Sequence, residues 1–312
     1  MLGRVSRYFF HFLAGVRTLQ RVASRLGMRK PTSFARRFIA GETIDEAIEA
    51  ARAVQANGLL LTLDHLGENV TNLDEADAAT RTYLDIVQAM IAAGTDRNIS
   101  LKLTSLGLDV DKASAIDNLR KILERAEPAG FFVRLDMESS HYTEITLEIF
   151  EMLWQQGYRA LGVVLQAALR RSEQDLQRIN ALGGRIRLVK GAYTEPKAIA
   201  YQLKADVDAA YARMMKVLIP SGNYPAIATH DDVMIELTRQ WAAEWGVTPD
   251  RFEFQMLYGV RRDLQARLIA GGFRVRVYIP FGRQWFPYFM RRLGERPANL
   301  TFVMKSLIRE QR

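Results

Sequence analysis

From residue 41 onward the chain alternates between two hydrophobic rhythms. The segments LLLTLDHLG, ISLKLTSLG, FFVRLDME, LGVVLQA, RIRLVKGAY, YPAIATHD, FEFQMLYG and FRVRVYIPFG read as short buried strands. Between them apolar residues recur at helical spacing. The first helix has Thr43 as N-cap, Glu46 completing a capping box, and Gly58 as its stop. Further helices are expected over Ala76–Ala93, Ala113–Glu127 (stopped by Pro128), Thr143–Gln156 (stopped by Gly157) and Ser172–Leu182, with Ser172 as N-cap. The last three of the series are expected from about Pro196 to Ile219, over Val233–Trp245 and over Asp263–Ala270. Eight strand–helix units with no run of consecutive strands predict an α/β fold, a parallel sheet closed into a (β/α)8 TIM-like barrel. An open doubly wound sheet is the alternative, but no GxGxxG follows the first strand.

The eighth strand introduces the stretch that the site is organised around. Phe273, Val275, Val277 and Ile279 alternate with Arg274, Arg276 and Tyr278, and Pro280 and Gly282 are expected to end the strand. An aromatic-rich helix follows, predicted to lie over the barrel mouth and carrying Arg291, Arg292 and Glu295. Two adjacent guanidiniums on an apolar helix suit a planar anion held bidentately. The competing reading is a solvated helix face with one Glu–Arg pair.

Barrel enzymes place their chemistry at the C-terminal ends of the strands. Those ends offer Asp64, Lys102, Asp136 with Glu138, Gln166, Arg187 with Lys190, Thr229 with His230, Gln255 and Tyr278. Each alone has an ordinary structural explanation; their common register is the signal. In RLVKGAY, Arg187 and Lys190 leave the strand on different sides, and Gly191 lets a group approach the backbone closely. Lys190 and the Gly191–Ala192 amides suit phosphate oxygens, and Arg187 an electron-rich ring edge. A flavin, another nucleotide cofactor and a sugar phosphate all fit that description.

Composition narrows the classes. The chain of 312 residues has no cysteine, which excludes disulfides, thiolate metal sites and a cysteine nucleophile. The four histidines show no ligand spacing, so no metal is expected. The net charge of +8 is local: residues 1–40 hold nine Arg or Lys and no acid, leaving 34 basic against 35 acidic residues elsewhere. No nucleic-acid surface is implied. The chain therefore divides into a basic amphipathic helical segment, 1–34, and a catalytic barrel, 35–312. In the segment Val5, Phe9, Phe12, Val16, Leu19, Ala23 and Leu26 share one helix face, with Arg7, Arg17, Arg21 and Arg25 opposite. It is too short in apolar run to span a bilayer. Packing on protein, lying on an anionic membrane surface and serving as a transit peptide are its three readings.

The runs RLVKGAY (187–193), LKLTSLG (101–107), RLDME (134–138), GVVLQ (162–166), ATHD (228–231), FEFQMLYGVR (252–261) and VYIPFGRQWFPYFMRRLGERPANL (277–300) are collinear, and together they resemble the proline dehydrogenase family in its short, single-function bacterial form. The resemblance covers about residue 35 to the C-terminus. It implies a flavoenzyme on a distorted (β/α)8 barrel that oxidises L-proline to Δ1-pyrroline-5-carboxylate, reduces FAD and passes electrons to a membrane quinone. It further implies that Arg291, Arg292 and Lys102 hold the proline carboxylate, that Tyr193, Leu257 and Tyr278 wall the ring, and that Asp136 lies beside these groups. By the same resemblance Arg187 sits at the flavin N5 edge, and Met137, Gln166, Lys190, Gly191, Ala192, Thr229 and His230 contact FAD. Glu295 matches a glutamate that orients a guanidinium or meets a cofactor hydroxyl. A cytoplasmic enzyme peripheral on the inner face of the bacterial membrane is implied, and a homo-oligomer is compatible with it. Thr194 stands where the fused enzymes often carry Trp, so the flavin surroundings differ there. Two other classes remain open on the residues alone: a Schiff-base enzyme using Lys102 or Lys190, and a barrel kept as a binding scaffold.

Overall fold

Parallel pairing runs unbroken from the first strand to the eighth, and the eighth pairs back onto the first, so the sheet has no edge. The structure, a computed structural model, describes Met28 and residues 34–295, with side chains of Met28 and residues 35–290. The alternating units are α1 (Ile44–Ala56), β1 (Leu60–His65), α2 (Leu73–Ala93), β2 (Asn98–Leu101), α3 (Lys112–Ala126), β3 (Phe132–Leu135), α4 (Thr143–Gln155) and β4 (Leu161–Gln166). They continue as α5 (Ser172–Ala181), β5 (Arg185–Val189), α6 (Lys204–Ser221), β6 (Ala226–Ala228), α7 (Asp232–Glu244), β7 (Glu253–Leu257), α8 (Arg262–Ala270), β8 (Val275–Phe281) and α9 (Trp285–Glu295). The expected (β/α)8 barrel is what forms.

The local signals act as read at α1: Thr43 accepts from the Glu46 N–H, and Glu46 reaches back to the Thr43 N–H. Three expectations fail. Ser172 is not an N-cap; its hydroxyl donates to the Gln166 carbonyl (2.6 Å), and the cap position falls on Arg171. The helix expected from Pro196 begins only at Lys204, because the preceding chain is tied to the β4–α5 loop: Arg170 N–H donates to Ile199 O, and Tyr201 N–H to Ala168 O. Pro280 does not end β8. Pairing with β7 stops at Tyr278, so the missing proline N–H costs no ladder bond there.

Strand alternation sorts the barrel into two cores. One set of side chains, including Leu61, Leu63, Ile99, Val133, Val163, Leu188, Phe254, Val277 and Ile279, joins the helices in the main hydrophobic core. The opposite set lines the bore, and much of it is polar or charged: Thr62, Ser100, Arg134, Arg187, Glu253, Gln255 and Arg276 are all buried. Barrel interiors usually fill with branched aliphatics. Here hydrogen bonds across the bore replace part of that packing. Trp285, Phe286, Tyr288 and Phe289 of α9 form a second cluster with Met28, Phe38, Ile39 and Leu66, and the Trp285 indole N–H donates to Glu42 (3.0 Å). This cluster seats α9 at the C-terminal end of β1 and β8.

Candidate active site

Arg187 leaves β5 at its middle residue and donates from each of its three nitrogens inside the bore. Its Nε donates to Gln255 Oε1 of β7 (2.5 Å), Nη1 to Asp136 Oδ1 just beyond β3 (2.5 Å), and Nη2 to Ser100 Oγ of β2 (3.0 Å). Three acceptors from three strands fix the planar fork, and at 5 % exposure water adds little. Tyr278 of β8 donates its hydroxyl to the other Asp136 oxygen (2.8 Å), and the Arg187 guanidinium sits over its ring. Burial and the Asp136 charge hold the Tyr278 phenol well above its ordinary pKa, so it remains a donor. Asp136 is thereby an acceptor that organises a cation and a hydroxyl.

Lys102 follows β2 and lies 3.3 Å from Asp64, the fully buried penultimate residue of β1. Burial alone would lower the lysine, but Asp64 and then Asp136 hold its pKa well above the ordinary value. Burial raises Asp64 to about 6 against the pull of Lys102. Glu138, also buried, is pushed up to about 7, although it accepts from the Thr104 hydroxyl (2.5 Å). The mouth thus couples a retained ammonium to carboxyls poised near neutrality.

The expected cofactor residues gather on the neighbouring β4–β7 side. Gln166 Nε2 donates to Glu138 O (2.6 Å). Gly191 has φ +109°, and a Cβ there would lie 3.1 Å from both Gln166 Oε1 and the Ala168 methyl. A side chain is thus opposed by backbone strain and by space. Among the described residues the Gly191 and Ala192 amides meet no acceptor. Thr229 accepts from the Asp231 N–H, and His230 Nε2 accepts from the Leu257 N–H (3.0 Å), which fixes its tautomer with the proton on Nδ1. Lys190 lies between Asp208 Oδ1 (2.5 Å) and Asp231 Oδ2 (2.7 Å), so its charge is already shared. Met137 packs its side chain into the main core. Tyr193 and Leu257 stand half-buried at the same end.

Arg291, Arg292 and Glu295 fall on α9, as expected, and their side chains lie outside the described residues. The basic segment 1–34 lies almost wholly outside them too. Arg187, Gln255 and Tyr278 sit within the strands, one layer below the rim where strand ends were expected to deliver them. Sequence reading missed Ser100 and Glu253. Their signal was present: a polar residue two positions from another polar one, on the same face of a strand otherwise apolar.

A family model described as proline dehydrogenase matches residues 47–305. Proline dehydrogenase 1 of Bacillus subtilis subsp. natto is 41% identical over 304 residues, 97% of this chain and 99% of that one. The proline dehydrogenase of Deinococcus radiodurans is 40% identical over 289 residues, 91% of this chain and 93% of that one. Among solved structures, proline utilization A (PutA) of Bdellovibrio bacteriovorus superposes with a TM-score of 0.77 at 28% identity, over 83% of this chain and 32% of that one.

Proposed function

The chain belongs to the proline dehydrogenase family, and from that premise we propose that its barrel oxidises L-proline to Δ1-pyrroline-5-carboxylate with FAD as acceptor, the first step of proline breakdown to glutamate. The observation that carries this reading is the bonded set Arg187–Asp136–Tyr278 beside Lys102, a fixed cationic wall in the bore. The Gly191–Ala192 amides and the absence of space at Gly191 fit a flat, anionic cofactor laid against the β5 end. Bound there, FAD would supply the two-electron acceptor that removal of a hydride from the substrate requires.

The protein's own part is positioning. Lys102, with Arg291 and Arg292 from α9, would hold the proline carboxylate. Tyr193, Leu257 and Tyr278 would wall the ring, so that its C5 faces the acceptor. Arg187 would stabilise negative charge arriving on the cofactor, and Asp136 keeps that guanidinium aimed. Met137, Gln166, Lys190, Thr229 and His230 would complete the cofactor contacts, with Glu295 orienting a guanidinium of α9 or meeting a cofactor hydroxyl. The Schiff-base alternative loses ground, since Lys102 keeps its proton and Lys190 is paired with two aspartates.

No helix among the described residues is long and apolar enough to cross a membrane. The family's electron acceptor, a membrane quinone, would then be reached from the surface, with the basic amphipathic segment as the contact. Sedimentation with anionic liposomes that persists unchanged without residues 1–30 would refute that part. The decisive test of the chemistry is an anaerobic absorbance spectrum with and without L-proline. Flavin bands that bleach on adding proline establish cofactor and substrate together. Bands that stay oxidised discard the substrate, and no flavin even after adding FAD discards the cofactor.

A further inference from the structure

At the end of the barrel opposite the mouth, the strand starts frame an open cavity of about 730 Å³. Arg185, Arg274, Arg276, Asn223, Tyr224 and Phe273 contribute to its wall. Three guanidiniums at one opening call for counter-charge, and they are not equally supplied. Arg276 is neutralised by Glu253 and Asp96. Arg185 and Arg274 pair with no carboxylate among the described residues. Arg274 is exposed, and its Nη1 donates to the Tyr224 hydroxyl at 3.3 Å.

Arg185 is the more telling of the two. Its guanidinium is stacked between Phe132 (4.2 Å) and Tyr224 (4.5 Å). Stacking occupies the faces and fixes the plane, and the buried Nε has no hydrogen-bond partner among the described residues. Beneath it Arg134, 2 % exposed, gives Nη1 to the carbonyls of Val163 and Arg185, and its Nε too is unpartnered. Burial lowers the pKa of both arginines, the mark of positive charge incompletely compensated. Tyr224 is held at φ +48°, in the left-handed region that an aromatic residue rarely adopts. Strain of this kind persists where the surroundings require one orientation; here it keeps the Tyr224 ring against Arg185 and its hydroxyl on Arg274.

We propose that this base cavity is a second ligand site, taking a small multiply charged oxyanion whose oxygens sit on the in-plane donors of Arg185 and on Arg274. Phosphate and carboxylate groups share the chemistry, paired negative oxygens matched to a planar fork. The site is separate from the mouth and does not depend on the reaction proposed there.

The test is a calorimetric titration of the full chain, in excess FAD to keep added anion off the mouth, with pyrophosphate and separately with citrate. The expected result is saturable one-to-one binding of at least one of them, weakened about tenfold or more by Arg185→Gln and by Arg274→Gln. The tighter of the two anions assigns the ligand as a phosphate or a polycarboxylate. Circular dichroism and melting checks keep the test clean, and Arg274→Gln, at the surface, serves if Arg185→Gln folds poorly. No saturable binding of either anion would overturn the proposal. So would binding that survives both substitutions, since the anion would then sit elsewhere.

Discussion

The two ends of the bore are built from the same residue types and treat charge in opposite ways. At the mouth the arginine is held through each of its nitrogens and the carboxyls are not compensated: Arg187 has three acceptors, while burial lifts Asp64 to about 6 and Glu138 to about 7. At the base the carboxylate is saturated and an arginine is left over. Burial alone would raise Glu253, but Arg276, bonded to both its oxygens (2.8 and 3.0 Å), holds it at about 2. Arg185, two residues before Arg187 on the same face of β5, has aromatic faces around it and a buried Nε with no acceptor among the described residues. Gln255 joins the two ends, accepting from Arg187 and donating to Glu253 Oε1 (2.5 Å). A bidentate pair fixes geometry at the cost of responsiveness; an under-compensated group keeps the capacity to respond. On that criterion each end holds a responsive group, titratable carboxyls at the mouth and an under-compensated guanidinium at the base.

The largest effect should come from removing the arginine with three acceptors. Arg187→Met leaves Asp136, Gln255 and Ser100 without their donor in a buried bore, and should cost about 3–5 kcal/mol in urea unfolding, with turnover lost. Arg185→Met on the same strand strands no acceptor and should cost about 1 kcal/mol, the worth of its ring contacts. Equal losses would erase the distinction between the two positions.

The next largest are opposed pH slopes. Glu253 has a folded pKa below its unfolded value of 4.5, so its stabilisation is complete above 4.5 and is lost as pH falls toward about 2. That amounts to about 3 kcal/mol. Glu138 has a folded pKa raised to about 7, so it costs stability as pH rises from about 4.5 through 7, by about 3 kcal/mol. Urea unfolding between pH 3 and pH 8 should show Glu253→Gln flattening the acid limb and Glu138→Gln flattening the neutral one. The same limb flattened by both would show that the ends are not electrostatically distinct.

Asp136→Ala tests whether the mouth's carboxylate works through its neighbours. With Arg187 and Tyr278 no longer tied, turnover should fall about a hundredfold, some 2.7 kcal/mol of barrier, with flavin content retained. Normal turnover in a flavin-replete variant would show that the Asp136 bonds are structural only.

How much of this was readable without coordinates follows from which physics is local. The strand–helix order, the Thr43–Glu46 box and the gathering of Lys102, Asp136, Arg187 and Tyr278 at one end follow from period and fold class alone. The start of α6 was not readable, because tertiary pairing of Ile199 and Tyr201 with the β4–α5 loop overrides the propensity of residues 196–203. Nor was the polarity of the bore. Arg185, Arg187, Glu253, Gln255 and Arg276 show in sequence as alternation, but alternation alone cannot separate a solvated face from a buried one. Only closure of the barrel turns that face inward, and only then does Ser100 meet Arg187 and Glu253 meet Arg276.

The smallest effect is the sharpest probe of the base. Arg274 is exposed and holds one long bond to a neutral hydroxyl, so Arg274→Gln should change unfolding free energy by no more than about 0.5 kcal/mol. Turnover should not move, since nothing ties Arg274 to Asp136: the chain of bonds toward the mouth starts at Arg276 and passes through Glu253 and Gln255. A measurable loss of turnover would mean that the stacked set Arg274–Tyr224–Arg185 also communicates with the mouth through β5. The base would then be part of the machinery that aims Arg187.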